Sequence, residues 1–128
     1  MNCYLRIAFF SAIFMAATFS LAQESVVDGT VLPFFEALKA GDVKSIEGYL
    51  GEPLAVEVNT LLRDNQDYPS LLRQRYEGAY SGVTSVRELP GGEVIVDLEI
   101  NYPARQAEYL RLRVVEGASG IWKIVEQQ

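Results

Sequence analysis

Apolar residues recur three and four positions apart through the first half of the chain and two apart through the second, which predicts helices followed by strands. Val27, Val31, Phe34 or Phe35, and Leu38 share one helical face; Lys39 falls in the last turn and Gly41 suits a left-handed cap. Asp42 reads as the N-cap of a second short helix carrying Val43, Ile46, Tyr49 and Leu50, which Gly51 stops. Pro53 suits the first turn of a third helix with Leu54, Val58, Leu61 and Leu62 inward. Asp67 with Pro69 starts a fourth, with Leu71, Leu72 and Tyr76. Pro33 breaks the pattern. It has no N–H to give to the carbonyl of Gly29, so a kink is expected there, or a helix that begins properly only near Leu32.

From about Gly82 the period is two. Thr84 and Val86, then Val94, Val96, Leu98, Ile100 and Tyr102, then Leu110, Leu112 and Val114, then Trp122 and Ile124 all fall on even numbers, which predicts four strands with one apolar face. Pro90-Gly91-Gly92 reads as a three-residue hairpin loop that pairs Leu89 with Glu93 and sets Val86 opposite Val96. Placing Leu98 opposite Leu112 puts Asp97 beside Arg113 and Glu99 beside Arg111 on the outer face, as cross-strand ion pairs. The last strand needs an odd loop or a bulge to keep Trp122 inward. The expected fold class is therefore α+β: short N-terminal helices packed on a curved four-stranded antiparallel sheet whose apolar face they must cover.

The start of the chain has a different character. Arg6 precedes an apolar run over residues 7–21, and Ser20-Leu21-Ala22 offers small residues at a cleavage site, so residues 1–22 read as a secretory signal and residues 23–128 as a single domain. Cys3 precedes the apolar run, so it is not placed for a lipid anchor, and the run is too short and wrongly flanked for a membrane span. The expected location is exported, periplasmic or secreted, with no stable membrane anchor. Beyond Ala22 the chain has no cysteine and no histidine, which excludes disulfides, Cys/His metal sites and nucleophile-histidine catalysis. Ten Lys and Arg against 17 Asp and Glu leave a net charge of −7 on residues 23–128, and such a field repels phosphate backbones. Nucleic acid is not an expected partner, and no cofactor or metal is expected.

Two segments carry a family resemblance. "FFEALKAGDVKSIEGYL" (residues 34–50) resembles the opening helix-break-helix of the nuclear transport factor 2-like (cystatin-like cone) superfamily, and "GIWKIVE" (residues 120–126) is similar to its usual last strand. More particularly the chain resembles the small secreted members that are lumazine-binding-like or of unknown function. It implies a cone-shaped fold with the first helix across the concave sheet and a pocket between them. Phe34, Phe35, Leu38, Tyr49, Tyr76, Leu98, Tyr102, Leu112 and Trp122 are the expected lining. Enzymes of that superfamily, ketosteroid isomerase among them, work with polar groups inside the cone, and none of their catalytic residues has a counterpart here. Asp97 and Glu99 have outward parity, Glu88 and Glu108 lie at strand ends, and Tyr49, Tyr76, Tyr80 and Tyr102 are hydroxyls that serve either a ligand or backbone carbonyls.

No catalytic residue is thus assigned. The leading expectation is a noncatalytic exported module holding a small apolar ligand or peptide. The alternative is homodimeric or hetero-assembly through the outer sheet face, where parity exposes Ile95, Tyr109, Val115 and Val125. An isomerase-like or hydrolase-like enzyme comes third. A closed, packed interior favours assembly, an apolar cavity with one or two polar tips favours binding, and a buried carboxylate of raised pKa favours catalysis.

Overall fold

The computed structural model describes residues 21–128; most of the expected export segment therefore lies outside the described residues. The order of elements is helices then strands: α1 (Leu21–Val26), a π-helical turn (Val27–Val31), α2 (Leu32–Ala40), α3 (Val43–Tyr49), α4 (Leu54–Asp64) and α5 (Tyr68–Arg75), then β1 (Tyr80–Glu88), β2 (Val94–Asn101), β3 (Glu108–Glu116) and β4 (Trp122–Gln127). The strands form one antiparallel sheet in the order β1-β2-β3-β4. The α+β class read from periodicity is therefore the class of the fold.

Pro33 explains the first departure from the simple pattern. The N–H of Leu32 bonds to the carbonyl of Val27, five residues back, so the chain takes a π turn immediately before Pro33, and the helix runs on as α2 although Pro33 has no N–H to give. One extra residue in that turn puts Val26 on the buried face in place of Val27, which is half-buried, five positions before Val31. Thr30, a buried polar residue, gives its hydroxyl to the carbonyl of Trp122 at 3.3 Å and ties the turn to β4.

Phe34, Phe35, Ala37 and Leu38 of α2 then bury against Val94, Val96, Leu98, Ile100, Leu112, Val114 and Ile124 of the sheet. Gly41 ends the helix at φ 65°, donating to the carbonyls of Ala37 and Leu38, and Asp42 caps α3 by accepting from the N–H of Ser45. Leu50 forms a parallel bridge to Ile124, and the N–H of Gly51 donates to the Ile124 carbonyl at 2.8 Å. A Cβ on Gly51 would lie 2.9 Å from Val125 Cγ1, so only glycine lets the chain pass this close to β4.

The sheet corrects several expectations. The β1–β2 hairpin has the expected Val86–Val96 register, with the N–H of Leu89 donating to Glu93 at 2.7 Å. The β2–β3 pair is slipped by two residues from the expectation: Leu98 faces Leu110, Val96 faces Leu112, Asp97 faces Arg111 and Glu99 faces Tyr109. A slip of two leaves every side chain on its face, so alternation cannot detect it; the length of the 102–107 connection decides. A bulge between Val83 and Ser85 turns Val83 inward and exposes Thr84, against the expectation from even numbering. A second irregularity between Arg113 and Val114, opposite Val125, follows an odd loop, so both devices offered for β4 are present; Trp122 packs half-buried against the core.

Ile95 and Val125, expected to be exposed, are each only 8% accessible: Ile95 lies among the Arg87, Arg111 and Arg113 side chains, whose stems cover it, and Val125 lies under Gly51. Leu61 and Leu71, expected inward, are 44% and 54% exposed: Leu61 lies on α4, which buries no side chain fully, and on α5 it is the next residue, Leu72, that turns into the core.

Two contrasting glycines test this account in denaturant melts. Gly41→Ala should lose more than the roughly 1–2 kcal/mol of a left-handed alanine, because its Cβ would also meet the Pro69 carbonyl at 2.5 Å. Gly48→Ala, in α3 with open space around it, should gain about 0.5–1 kcal/mol. Phe35→Ala should lose about 3–5 kcal/mol. Equal effects at the two glycines would refute the turn geometry.

Candidate functional site

Six of the nine residues expected to line a pocket, Phe34, Phe35, Leu38, Tyr76, Leu98 and Leu112, are buried together in the core, with the rings of Phe35 and Tyr76 edge to face at 5.8 Å. Tyr49, Tyr102 and Trp122 are half-buried and pack on that core. Helix and sheet therefore meet largely without space between them. Among the described residues a small, largely closed cavity of about 40 Å³ lies to one side, among Phe34, Leu38, Ile46, Leu50, Leu54, Val58, Tyr68, Leu72 and Gln127. It takes walls from α2, α3, α5 and the end of β4, and α4 forms its roof. Of the expected lining only Phe34 and Leu38 border it.

The cavity is apolar apart from the Tyr68 phenol and the Gln127 amide. Burial raises the Tyr68 pKa above its ordinary value, with Tyr76 adding to the rise, so the phenol is neutral at physiological pH and available as a donor. A volume of this size holds roughly one to three waters, and a larger occupant needs the roof to move. The roof is suited to that: Leu54 and Val58 touch the core from α4, while Val56 and Leu61 remain exposed.

The outer sheet face is polar. Asp97 accepts from Arg111 Nε at 2.7 Å and from the Ser85 hydroxyl at 2.7 Å. Arg111 first, and then Ser85, hold its carboxyl below the usual carboxylate range against some desolvation. Arg113 bridges Glu93 and Glu126. The carboxylates Asp97 and Glu99 thus point away from the core, as their parity implies, and Asp97 is fully engaged by neighbours on its own face.

Glu108, taken as a strand-end residue, has a larger part than sequence alone suggests. It is half-buried beside Tyr102 and accepts from Arg75 Nη2 at 2.8 Å, with Arg105 Nη2 3.6 Å from its other oxygen. The only sequence signal for this group is the spacing of three between Arg105 and Glu108; Arg75 arrives from a distant helix. Among the described residues no group of three or more His, Cys, Asp or Glu side chains is placed to hold a metal ion, and no helix is long and apolar enough to cross a membrane.

No protein-family model matches the chain, and no curated protein matches it.

The Asp97 contact has a definite pH signature. Because its folded pKa is depressed below the ordinary 3.8, the stability it contributes is present above that value and is lost as pH falls through the folded value. Asp97→Asn should therefore melt below the parent at pH 7, and the two curves should converge in strong acid. A gap that stays constant down to pH 2 would show that the carboxylate is not the source.

Proposed function

We propose that the protein is a noncatalytic exported binding module of the nuclear transport factor 2-like superfamily that takes a small apolar ligand beneath α4. The carrying observation is the apolar cavity with two polar tips under a helix that has no fully buried side chain. Such a roof opens at small cost, since few apolar contacts hold it, and an apolar ligand gains by removing surface from water. The helix-break-helix laid on a four-stranded meander supports the superfamily, and the Arg6, apolar run and Ser-Leu-Ala order supports export. Intact mass of the exported protein should place Gln23 first.

The binding reading is tested by titrating decanol into labelled protein. Resonances of Val58, Tyr68 and Leu72 should shift saturably, α4 amides should gain protection from hydrogen exchange, and Leu72→Ala should bind more tightly while losing about 2–5 kcal/mol of stability. Shifts spread evenly over the surface, or none, would remove this reading.

A second reading has one observation in its favour. The outer face and its rim carry Arg87, Arg111, Arg113 and Lys123 against Glu93, Asp97, Glu99 and Glu126, four of each sign, so the whole excess of −7 in residues 23–128 lies elsewhere. Two copies meeting through this neutral face, with Tyr80 and Tyr109 at 64% and 73% exposure beside it, keep the excess negative charge of each out of the contact. Sedimentation should then show a dimer that Tyr109→Ala weakens; a monomer at high concentration would dismiss pairing.

A further inference from the structure

A second hollow, unrelated to the cavity under α4, lies where the end of α5 meets the 102–107 connection. It measures about 490 Å³ and is bordered by Arg75, Glu77, Gly78, Tyr102, Pro103 and Arg105 among others, a size that suits a small organic molecule. Gly78, at φ 71°, lets Pro103 close the wall: a Cβ there would stand 3.0 Å from the proline ring.

The two arginines are held in place before any ligand arrives. The Arg105 guanidinium lies 3.7 Å over the centre of the Tyr102 ring, and its Nη2 donates to the Arg75 carbonyl at 2.7 Å while approaching Glu108. Its Nη1 and Nε have no hydrogen bond among the described residues. Arg75 gives Nη2 to the other oxygen of Glu108 and lies 5.7 Å from the Tyr76 ring centre. A surface arginine ordinarily loses much of its attraction for an anion to the entropy of fixing a long side chain. Here that ordering is already done, and one carboxylate is shared between two guanidiniums, leaving a net charge of +1 on the group. Burial, and then Glu108, pushes the Tyr102 phenol up to about 12, so no second negative charge forms beneath it. Glu77, exposed on the border of the hollow, is the opposing charge.

We propose that this hollow binds a carboxylate, gripped by the open edge of Arg105 with Arg75 beside it, and that the ligand's apolar body lies against Pro103. Planar guanidinium forks match carboxylate geometry, which a lysine would not do. The carboxylate belongs either to a small free acid or to the C-terminus of a peptide.

The test uses benzoate, with benzamide as its uncharged equivalent, followed by amide resonances of the protein. Benzoate should shift Gly78 and Ala104 saturably and benzamide should not. Arg105→Ala should weaken benzoate by roughly tenfold, the loss of one charged hydrogen-bonded contact. Glu77→Gln, which removes a charge without touching either arginine or its anchors, should tighten benzoate by roughly two- to fivefold. Tighter binding of N-acetyl-alanyl-phenylalanine than of benzoate would assign the site to a chain terminus, and the reverse order to a free acid; both support it. Equal shifts from benzoate and benzamide, or a Glu77→Gln protein that binds benzoate no better than the parent, would overturn it.

Discussion

The inner face of the sheet must be kept from water, and the rest of the architecture answers to that constraint. Val94, Val96, Leu98 and Ile100 on β2, with Leu110, Leu112 and Val114 on β3, form a continuous apolar surface, and α2 is the element that covers it. At roughly 25 cal/mol per Å² of apolar area this burial is the largest favourable term available to so small a domain. The π turn before α2 and the left-handed glycine after it then have a common cause: each lets the chain bring Phe34, Phe35 and Leu38 onto the sheet and leave again within one short helix.

Elements that come later in the helical half have correspondingly less to bury. α3 contributes Ile46 as its buried residue, α5 contributes Leu72, and α4 contributes none. This gradient separates a rigid sheet-and-α2 layer from a looser helical flank, and local opening free energies follow such differences in buried contact. The small cavity lies on the boundary between the two layers. Its position follows from the order in which the apolar surface was used up.

Much of this is written in the sequence, and the exceptions have physical reasons. The periods of three to four and of two identify the helices, the strands and the Pro90-Gly91-Gly92 hairpin, because burial of one face enforces them. Parity is blind to a slip of two residues, which is why Asp97 finds Arg111 rather than Arg113. It is also blind to a bulge, which is why Val83 replaces Thr84 on the inner face. The candidate sites were less legible. Counting even-numbered strand residues points to the interface of α2 and the sheet, which turns out to be filled, whereas the cavity is walled mainly by helices. The Arg75, Tyr102, Arg105 and Glu108 group joins a helix end to a loop 30 residues away in sequence, and no local spacing announces such a meeting.

The bridge from Leu50 to Ile124 bears on solubility as well as on the path of the chain. An open sheet has two edges whose unpaired N–H and C=O groups recruit strands from other molecules. At the β4 edge the N–H of Gly51 occupies the Ile124 carbonyl, and the passing backbone blocks a neighbouring strand. At the β1 edge the irregularity between Val83 and Ser85 divides nine residues into two short flat runs, neither long enough to template a stable intermolecular pair. Without a disulfide to hold its described residues together, the protein guards both margins of its sheet with backbone shape alone, so that chains crowded together are steered away from growing into a shared ribbon.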